Sequence, residues 1–221
     1  MKRVPTKLSE DLFAADVPAT EALGTGAMIL RRFALGLERQ LLDAVQEIIA
    51  AAPFRHLVTP GGFTMSVAMT NCGDLGWVSD RAGYRYDPVD PLSGRAWPAI
   101  PQVFRDLSRS AAAAAGYEAF QPDACLINRY EPGARLSLHR DYDERDASAP
   151  IVSVSLGVPA IFQWGGLRRG DRPRRVPVHS GDVVVWGGES RFVYHGVAAL
   201  AEDSHPLTGQ LRINLTFRKA R

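Results

Sequence analysis

Cysteine is nearly absent from this chain: Cys72 and Cys125 are the only two in 221 residues. Two thiols are too few for a disulfide framework or a thiolate zinc site, so they read as reduced, packed side chains in a cytoplasmic protein. Histidine is scarce too, with five residues, which leaves an imidazole-based metal centre few ligands to choose from. No sign of charge dominates. The formal net charge of +2 does not by itself mark a nucleic-acid binder, although local patches matter more than the sum. No apolar run reaches the roughly 18 residues that span a bilayer. No apolar core follows Lys2 and Arg3, as a signal peptide would need. No membrane partner is expected. There is no internal repeat, and the alanine run from Ala111 to Ala115 is simply good helix. What is present is the ordinary mix of a globular protein, 46% hydrophobic and 23% charged. The length fits one domain, or one domain with an elaborate lid, and buries enough surface to need no staples.

Patterning places the elements. Residues 1–22 lack strong periodicity and read as an arm. Residues 27–30 read as a short strand. Leu37, Leu41, Val45, Ile48 and Ala52 form one stripe of a helix over 37–52, which Pro53 ends. Residues 53–97 are rich in glycine, proline and aromatics, and read as irregular hairpins and loops rather than a second core. A second helix is expected from Pro101 to Ala115, with Gly116 just past its end. Strands are expected at 124–130, 136–140, 151–157, 160–164, 182–186, 191–194 and 211–218. Early helices followed by many short strands predict an α+β fold, mainly β. Its core is a double-stranded β-helix, or jelly roll, with flanking N-terminal helices.

Two local patterns carry chemistry. His139 and Asp141 stand at i and i+2, so a strand points both side chains to one face. His195, from a later strand, supplies a second imidazole. Two nitrogens and one carboxylate leave up to three coordination positions open, the arrangement of non-haem Fe(II) oxygenases. An open site suits chemistry and a closed one suits structure. A solvated surface strand is the competing reading of the His-x-Asp pair. His56, His179 and His205 fall in loops and read as solvated. The second pattern is the strict alternation from Leu211 to Arg218. Leu211, Ile213, Leu215 and Phe217 share one face; Arg212, Asn214, Thr216 and Arg218 share the other. Two guanidiniums around an amide can grip an elongated dicarboxylate, because arginine pairs with carboxylates bidentately. An oxygenase of this type uses such a dicarboxylate, 2-oxoglutarate, as its electron source. An edge strand with its polar face in water is the alternative.

With these patterns in place, the chain resembles the AlkB family of Fe(II)- and 2-oxoglutarate-dependent dioxygenases, and is closest to its founding bacterial branch. The resemblance runs from about Ala27 to Arg218. The segments Thr59 to Asn71, Pro122 to Tyr130, Leu136 to Glu144, Gly181 to Arg191 and Arg212 to Arg218 carry it. It implies Fe(II), 2-oxoglutarate and dioxygen as cofactor and cosubstrates, with His139, Asp141 and His195 as metal ligands and catalytic centre. It implies that Asn128, Tyr130 and Arg212 hold the distal carboxylate of 2-oxoglutarate. Asn214 and Arg218 hold the carboxylate beside the keto group.

The same resemblance implies oxidative demethylation of N-alkylated bases, of the 1-methyladenine and 3-methylcytosine type, in single-stranded DNA, with RNA left open. Formaldehyde is released, and 2-oxoglutarate becomes succinate and carbon dioxide. The partner is a single-stranded or flipped-base nucleic acid, since chemistry on a base requires it unstacked, and the enzyme is a monomer. Substrate contacts fall on Thr59, Met69, Trp77, Tyr84, Asp143 and Arg169. Trp77 stacks the flipped base against His139, Asp143 offers a carboxylate to a cationic base, and Thr59 and Tyr84 lie near the nucleotide backbone. Plain packing competes at Met69, and rings packing on their own hairpin compete at Trp77 and Tyr84. Arg169 belongs to a cluster of arginines, 168–175, suited to phosphate or to a solvated loop. Arg140 and Tyr142 vary in the family and take no role from it. Phe63 replaces a tyrosine common in bacterial relatives. The organisation expected is one domain: an arm over about 1–22, a nucleotide-recognition lid over about 53–97 and a jelly-roll core over about 122–221. Alternatives are a 2-oxoglutarate hydroxylase of a protein or small molecule, and a non-catalytic jelly-roll binding module.

Overall fold

A computed structural model describes residues 19–221, so most of the arm read at 1–22 lies outside the described residues. Its end is a strand, β1 (Thr20–Gly24), paired antiparallel with β2 (Ala27–Leu30). Helix α1 (Glu38–Ala51) follows, burying Leu41, Ala44, Val45 and Ile48. The alternation of apolar residues at three- and four-residue steps makes this one face, and Pro53 stops the ladder. Next come β3 (Arg55–Val58), β4 (Thr64–Gly73), the hairpin β5 (Gly76–Asp80) and β6 (Gly83–Asp87), and helix α2 (Gln102–Ala114). The remaining strands are β7 (Ala124–Tyr130), β8 (Leu136–His139), β9 (Ile151–Gly157), β10 (Ala160–Trp164), β11 (Arg174–Val178), β12 (Val183–Trp186), β13 (His195–Val197) and β14 (Arg212–Arg218). No helix among the described residues is long and apolar enough to cross a membrane.

The strands form an eight-stranded sheet in the order β1-β2-β12-β9-β14-β7-β4-β3, a four-stranded sheet β11-β10-β13-β8, and the separate hairpin β5-β6. The large sheet is covered on both faces. Val152, Val154 and Leu156 of β9 and Ile213, Leu215 and Phe217 of β14 pack against Leu41, Val45 and Ile48 of α1 and Phe104, Leu107 and Ala111 of α2. On the opposite face, Ile29, Leu126, Tyr130, Val184 and Trp186 meet Phe162 and Trp164 of β10 and Val176 and Val178 of β11. Period two sends alternate side chains of each central strand to these two cores. The mainly β, two-sheet architecture with flanking helices is the jelly roll expected. Cys72 and Cys125 are free and buried, directly opposite each other on β4 and β7.

Three local expectations differ from the structure. Residues 53–97 are not all irregular, because β4 is a ten-residue strand of the main sheet. Its residues from Val67 to Gly73 are all buried, so both faces are covered and the alternation that announces a half-buried strand is missing. The strand read at 191–194 begins only at His195. Gly188 adopts φ +53° and a short 3-10 turn, Gly188–Ser190, delays the extended chain. The arginine cluster is not one loop. Arg174 and Arg175 lie on the edge strand β11, where exposed cations discourage edge-to-edge association.

Candidate active site

Strand β14 sits between β7 and β9, and its polar face is also buried rather than bathed in water, covered by the residues that follow the small sheet's β8, such as Asp141 against Arg218. The register sets Arg212 opposite Tyr130, Asn214 opposite Asn128, and Asn214 opposite Ser155 on the other side. Cross-strand partners share a face. That is why five residues from three strands, spread along the chain from Asn128 to Asn214, converge on one wall. Asn214 donates to Ser153 Oγ at 2.8 Å and to the Val154 carbonyl at 2.9 Å, and Asn128 donates to Asn214 Oδ1 at 3.2 Å. Arg212 is 2% exposed. Its Nη2 donates to Ser155 Oγ at 3.0 Å, and its guanidinium carbon lies 4.8 Å from the Tyr130 ring centre. Its Nε and Nη1, and Asn128 Oδ1, are buried without any partner.

The opposite wall is the small sheet. His139 ends β8, His195 begins β13, and the two are cross-strand partners. Their ring centres are 4.5 Å apart. Asp141 completes the group, with His139 Nε2 at 3.7 Å and His195 Nε2 at 3.8 Å from its oxygens. All three ligand atoms lie within 4.8 Å of one another. Each imidazole Nδ1 faces a main-chain carbonyl, Ser137 O at 2.9 Å and Val193 O at 3.0 Å. A carbonyl only accepts, so each Nδ1 carries the proton and each Nε2 lone pair is left for a metal. Burial, together with the neighbouring His139, pushes His195 down to about 4, so its ring is neutral and ready to ligate at neutral pH. Gly196 makes this approach possible: an added Cβ would stand 2.7 Å from the Leu136 carbonyl oxygen.

Asp141 also holds Arg218, whose Nη2 and Nε reach its Oδ2 at 3.0 and 3.2 Å. Burial alone would raise the Asp141 pKa, but the fields of Arg218, His195, His139 and Arg191 outweigh it and hold the carboxyl below its ordinary range. A buried network extends from there. Arg218 lies 3.3 Å from Glu144; Glu144 accepts from Arg191 at 3.1 Å and from the Tyr86 hydroxyl at 2.6 Å. The hairpin β5-β6 is thereby tied to the metal-side wall. Trp77 of this hairpin donates its indole N–H to Asp143 at 2.9 Å. Asn71, 2% exposed, grips the Trp77 backbone with two 3.0 Å bonds.

Three comparisons bear on this geometry. The model of the 2OG-Fe(II) oxygenase superfamily matches residues 26–218. The chain is 60% identical, over 95% of its length and 97% of the other's, to "Alpha-ketoglutarate-dependent dioxygenase AlkB" of Escherichia coli. The chain belongs to the AlkB family of 2-oxoglutarate- and Fe(II)-dependent oxygenases. A human relative named "Nucleic acid dioxygenase ALKBH1" is 37% identical over 124 residues, 56% of this chain and 31% of that protein. The solved structure of OsALKBH1 superposes with a TM-score of 0.78 at 28% identity, covering 90% of this chain and all of that one.

The residues present fit the family's iron and 2-oxoglutarate. The two-histidine, one-carboxylate set is the donor chemistry Fe(II) takes in such enzymes, and both imidazoles have the right nitrogen free. The unpartnered Arg212 Nε and Nη1 form a donor socket within the protein, whereas Asn128 Oδ1 is an acceptor and calls for a donor. Buried polar atoms normally have partners, and a carboxylate is the group that accepts from two guanidinium N–H groups at once.

Other expected residues are placed as follows. Tyr84 stacks on Trp77, with centroids 5.5 Å apart and planes at 14°. Thr59 closes the β3-β4 turn, accepting from Phe63 N–H at 3.1 Å, and Met69 is packed in the inter-sheet core at 2% exposure. Arg169 is exposed on the loop before β11. His56 bonds the Met65 carbonyl at 2.8 Å, and His205 lies 3.9 Å from Glu38; neither joins the metal group. The sequence reading missed Ser153 and Ser155, although their alternation on β9 is a legible signal. It also missed Asn71, Tyr86, Glu144 and Arg191, for which no local pattern exists.

Proposed function

We propose that this AlkB-family oxygenase, acting as a cytoplasmic monomer, oxidatively removes alkyl groups from ring nitrogens of bases in single-stranded DNA. Its preferred lesions are the cationic 1-methyladenine and 3-methylcytosine. The observation that carries this reading is the Trp77–Asp143 pair, which sets a flat aromatic surface and a carboxylate together two residues beyond Asp141. A flat cation is what such a pair recognises, by stacking and by charge-assisted hydrogen bonding. The named relatives support the nucleic-acid assignment.

His139, Asp141 and His195 would hold iron, and Arg212, Asn128 and Tyr130 the distal carboxylate of 2-oxoglutarate, with Asn214 and Arg218 serving its other end. Bound iron with 2-oxoglutarate and dioxygen supplies the oxidising power that hydroxylates the alkyl carbon. The protein's own residues do the rest. Nδ1–H bonds to Ser137 and Val193 keep both imidazoles in the ligating tautomer. Arg218 and Arg191 hold Asp141 ionised. Tyr84 backs one face of the Trp77 ring, and the flipped base takes the other. Asp143 exchanges the indole N–H for the base's exocyclic amine, Thr59 and Tyr84 border the nucleotide backbone, and Met69 supports the floor beneath them. Arg169 contacts phosphate.

Formaldehyde release from single-stranded oligonucleotides bearing one 1-methyladenine or 3-methylcytosine, with Fe(II) added, tests the proposal. Turnover is expected, and His139→Ala, Asp141→Ala and His195→Ala should each abolish it. Succinate production without formaldehyde from any methylated oligonucleotide would overturn the substrate assignment and favour a protein or small-molecule hydroxylase.

A further inference from the structure

Beside the metal-ligand loop is a surface feature that neither the iron nor the cosubstrate uses. Arg140 and Tyr142 flank Asp141 in sequence but point the other way. The Asp141 side chain is 9% exposed, whereas Tyr142 is 63% exposed and Arg140 is exposed too. The Arg140 guanidinium carbon lies 5.4 Å from the Tyr142 ring centre and 5.5 Å from that of Tyr194. An arginine clasped between two tyrosines is held in place by the attraction of a cation for ring faces. Among the described residues Arg140 pairs with no carboxylate, so its charge remains available. Tyr194 in turn is bonded through its backbone to Gly165 and Gly166, at 2.8 and 2.9 Å. Those glycines lead directly into the loop that carries Arg168, Arg169 and Arg172. An aromatic and cationic track therefore runs from the lip of the iron pocket to the basic loop.

We propose that Tyr142, with Arg140 clasped between it and Tyr194, is a stacking subsite for the unpaired nucleotide next to the target base, with the guanidinium on that nucleotide's phosphate. The inference rests on the single-stranded substrate proposed above. Its occupant follows from chemistry and position. A ring presented face-out beside an unneutralised guanidinium is the combination that single strands find on their binding proteins, where each base offers a π-face. Tyr142 precedes Asp143, the carboxylate assigned to the target base, and neighbouring Cα atoms are about 3.8 Å apart. The two side chains thus serve adjacent nucleotides, Asp143 beside the Trp77 ring to which it is bonded and Tyr142 farther along the rim.

The test is binding of the iron- and 2-oxoglutarate-loaded enzyme, kept free of oxygen, to a short single strand with one central 1-methyladenine. Two further strands carry an abasic site immediately 5′ or 3′ of that base. Tyr142→Ala should weaken binding to the intact strand roughly 5- to 150-fold, the range for one lost base–aromatic stack, and Tyr142→Phe should retain wild-type affinity. One of the two abasic strands should weaken wild-type binding by a similar factor and leave Tyr142→Ala indifferent. Arg140→Ala should lower the slope of log affinity against log salt by about 0.7, the value for one single-strand phosphate contact. Equal abasic penalties in wild type and Tyr142→Ala, or unchanged affinity in Tyr142→Ala, would overturn the subsite. Formaldehyde release by the wild type from the intact strand is scored in parallel: its absence sinks the substrate proposal, and its presence with a silent Tyr142 sinks the subsite alone.

Discussion

Arg212 and Arg218 occupy equivalent positions on one strand face, six residues apart, yet their surroundings are opposite. Arg218 is already neutralised by Asp141 and Glu144. Burial would lower its pKa, but Asp141, Tyr86 and Glu144 more than reverse that and hold the guanidinium firmly charged. Arg212 has no carboxylate partner, and burial pulls its pKa down. Removing one member of a buried ion pair leaves the other charge stranded, at a cost of about 3–5 kcal/mol. Arg218→Ala should therefore shift the urea midpoint of the metal-free protein strongly downward, while Arg212→Ala leaves it close to wild type. In cosubstrate binding Arg212→Ala should be the costly change. A lost charge-assisted bond is worth about 1.5–3 kcal/mol, which raises the 2-oxoglutarate KM by roughly 10- to 150-fold. Arg212→Lys should not rescue it, because a point charge cannot replace the planar fork. Denaturation and 2-oxoglutarate titrations on the same three proteins check both statements, and a KM unmoved in Arg212→Ala would remove that residue from the cosubstrate socket.

At the scale of elements, two junctions set the site. The first is β13 against β8, where Gly196 lets the strands approach and brings His195 opposite His139. Gly196→Ala places a methyl group against the Leu136 carbonyl and forces the strands apart. Iron affinity should fall by at least tenfold (about 1.4 kcal/mol) with the far-ultraviolet circular dichroism preserved; metal titration followed by activity readout decides it, and wild-type affinity would show that the strands yield elsewhere. The second junction is Asn71 under the β5-β6 hairpin. Its two bonds to the Trp77 backbone are buried, and leaving such groups unpaired costs about 1–3 kcal/mol. Asn71→Ala should weaken oligonucleotide binding while the 2-oxoglutarate KM stays within about twofold, since Asn71 holds the Trp77 strand of the hairpin and the link to Arg218 runs indirectly, through Tyr86 on the other strand and Glu144. Equal losses in both would mean that Asn71 supports the whole sheet. The helices were legible in the sequence because one covered face imposes a period, and β14 because its second face, though buried, is polar, so Arg212, Asn214, Thr216 and Arg218 alternate with apolar residues. β4 was not, because both its faces are covered, and β11 was not, because an edge strand rich in arginine and proline looks like a loop.

At the scale of the molecule, the site is a gap between two sheets that holds one buried guanidinium, Arg212, with two unpartnered nitrogens, and two imidazoles whose Nε2 lone pairs face a common point. Occupancy should therefore stabilise the fold as a whole. Ligand that binds only the folded state at about 100 times its Kd contributes about 2.7 kcal/mol, and a domain of this size gains roughly 2–4 °C per kcal/mol. Mn(II) with 2-oxoglutarate should raise the melting temperature by roughly 5–10 °C. In Arg212→Ala the increment from 2-oxoglutarate should largely vanish while that from Mn(II) persists. Scanning calorimetry with each ligand alone and together is the check, and an unchanged 2-oxoglutarate increment in Arg212→Ala would contradict the socket.

The sequence alone determined the chemistry on offer: the i, i+2 pair of His139 and Asp141, the alternating arginines of β14, and the apolar stripes of both helices. These are local signals, set by residue type and by the fixed periods of strand and helix. Tertiary structure decided what those groups face. It put His195 across from His139, buried Arg212 without a carboxylate partner, gave Arg218 to Asp141 and Glu144, and brought Trp77 of the hairpin onto Asp143, 66 residues away. Strand order and the covering of each sheet face arise from contacts between distant segments, and no local period encodes them. The same is true of Tyr142, Arg140 and Tyr194: three positions without a role in any local pattern become one surface only when β13 lies beside β8.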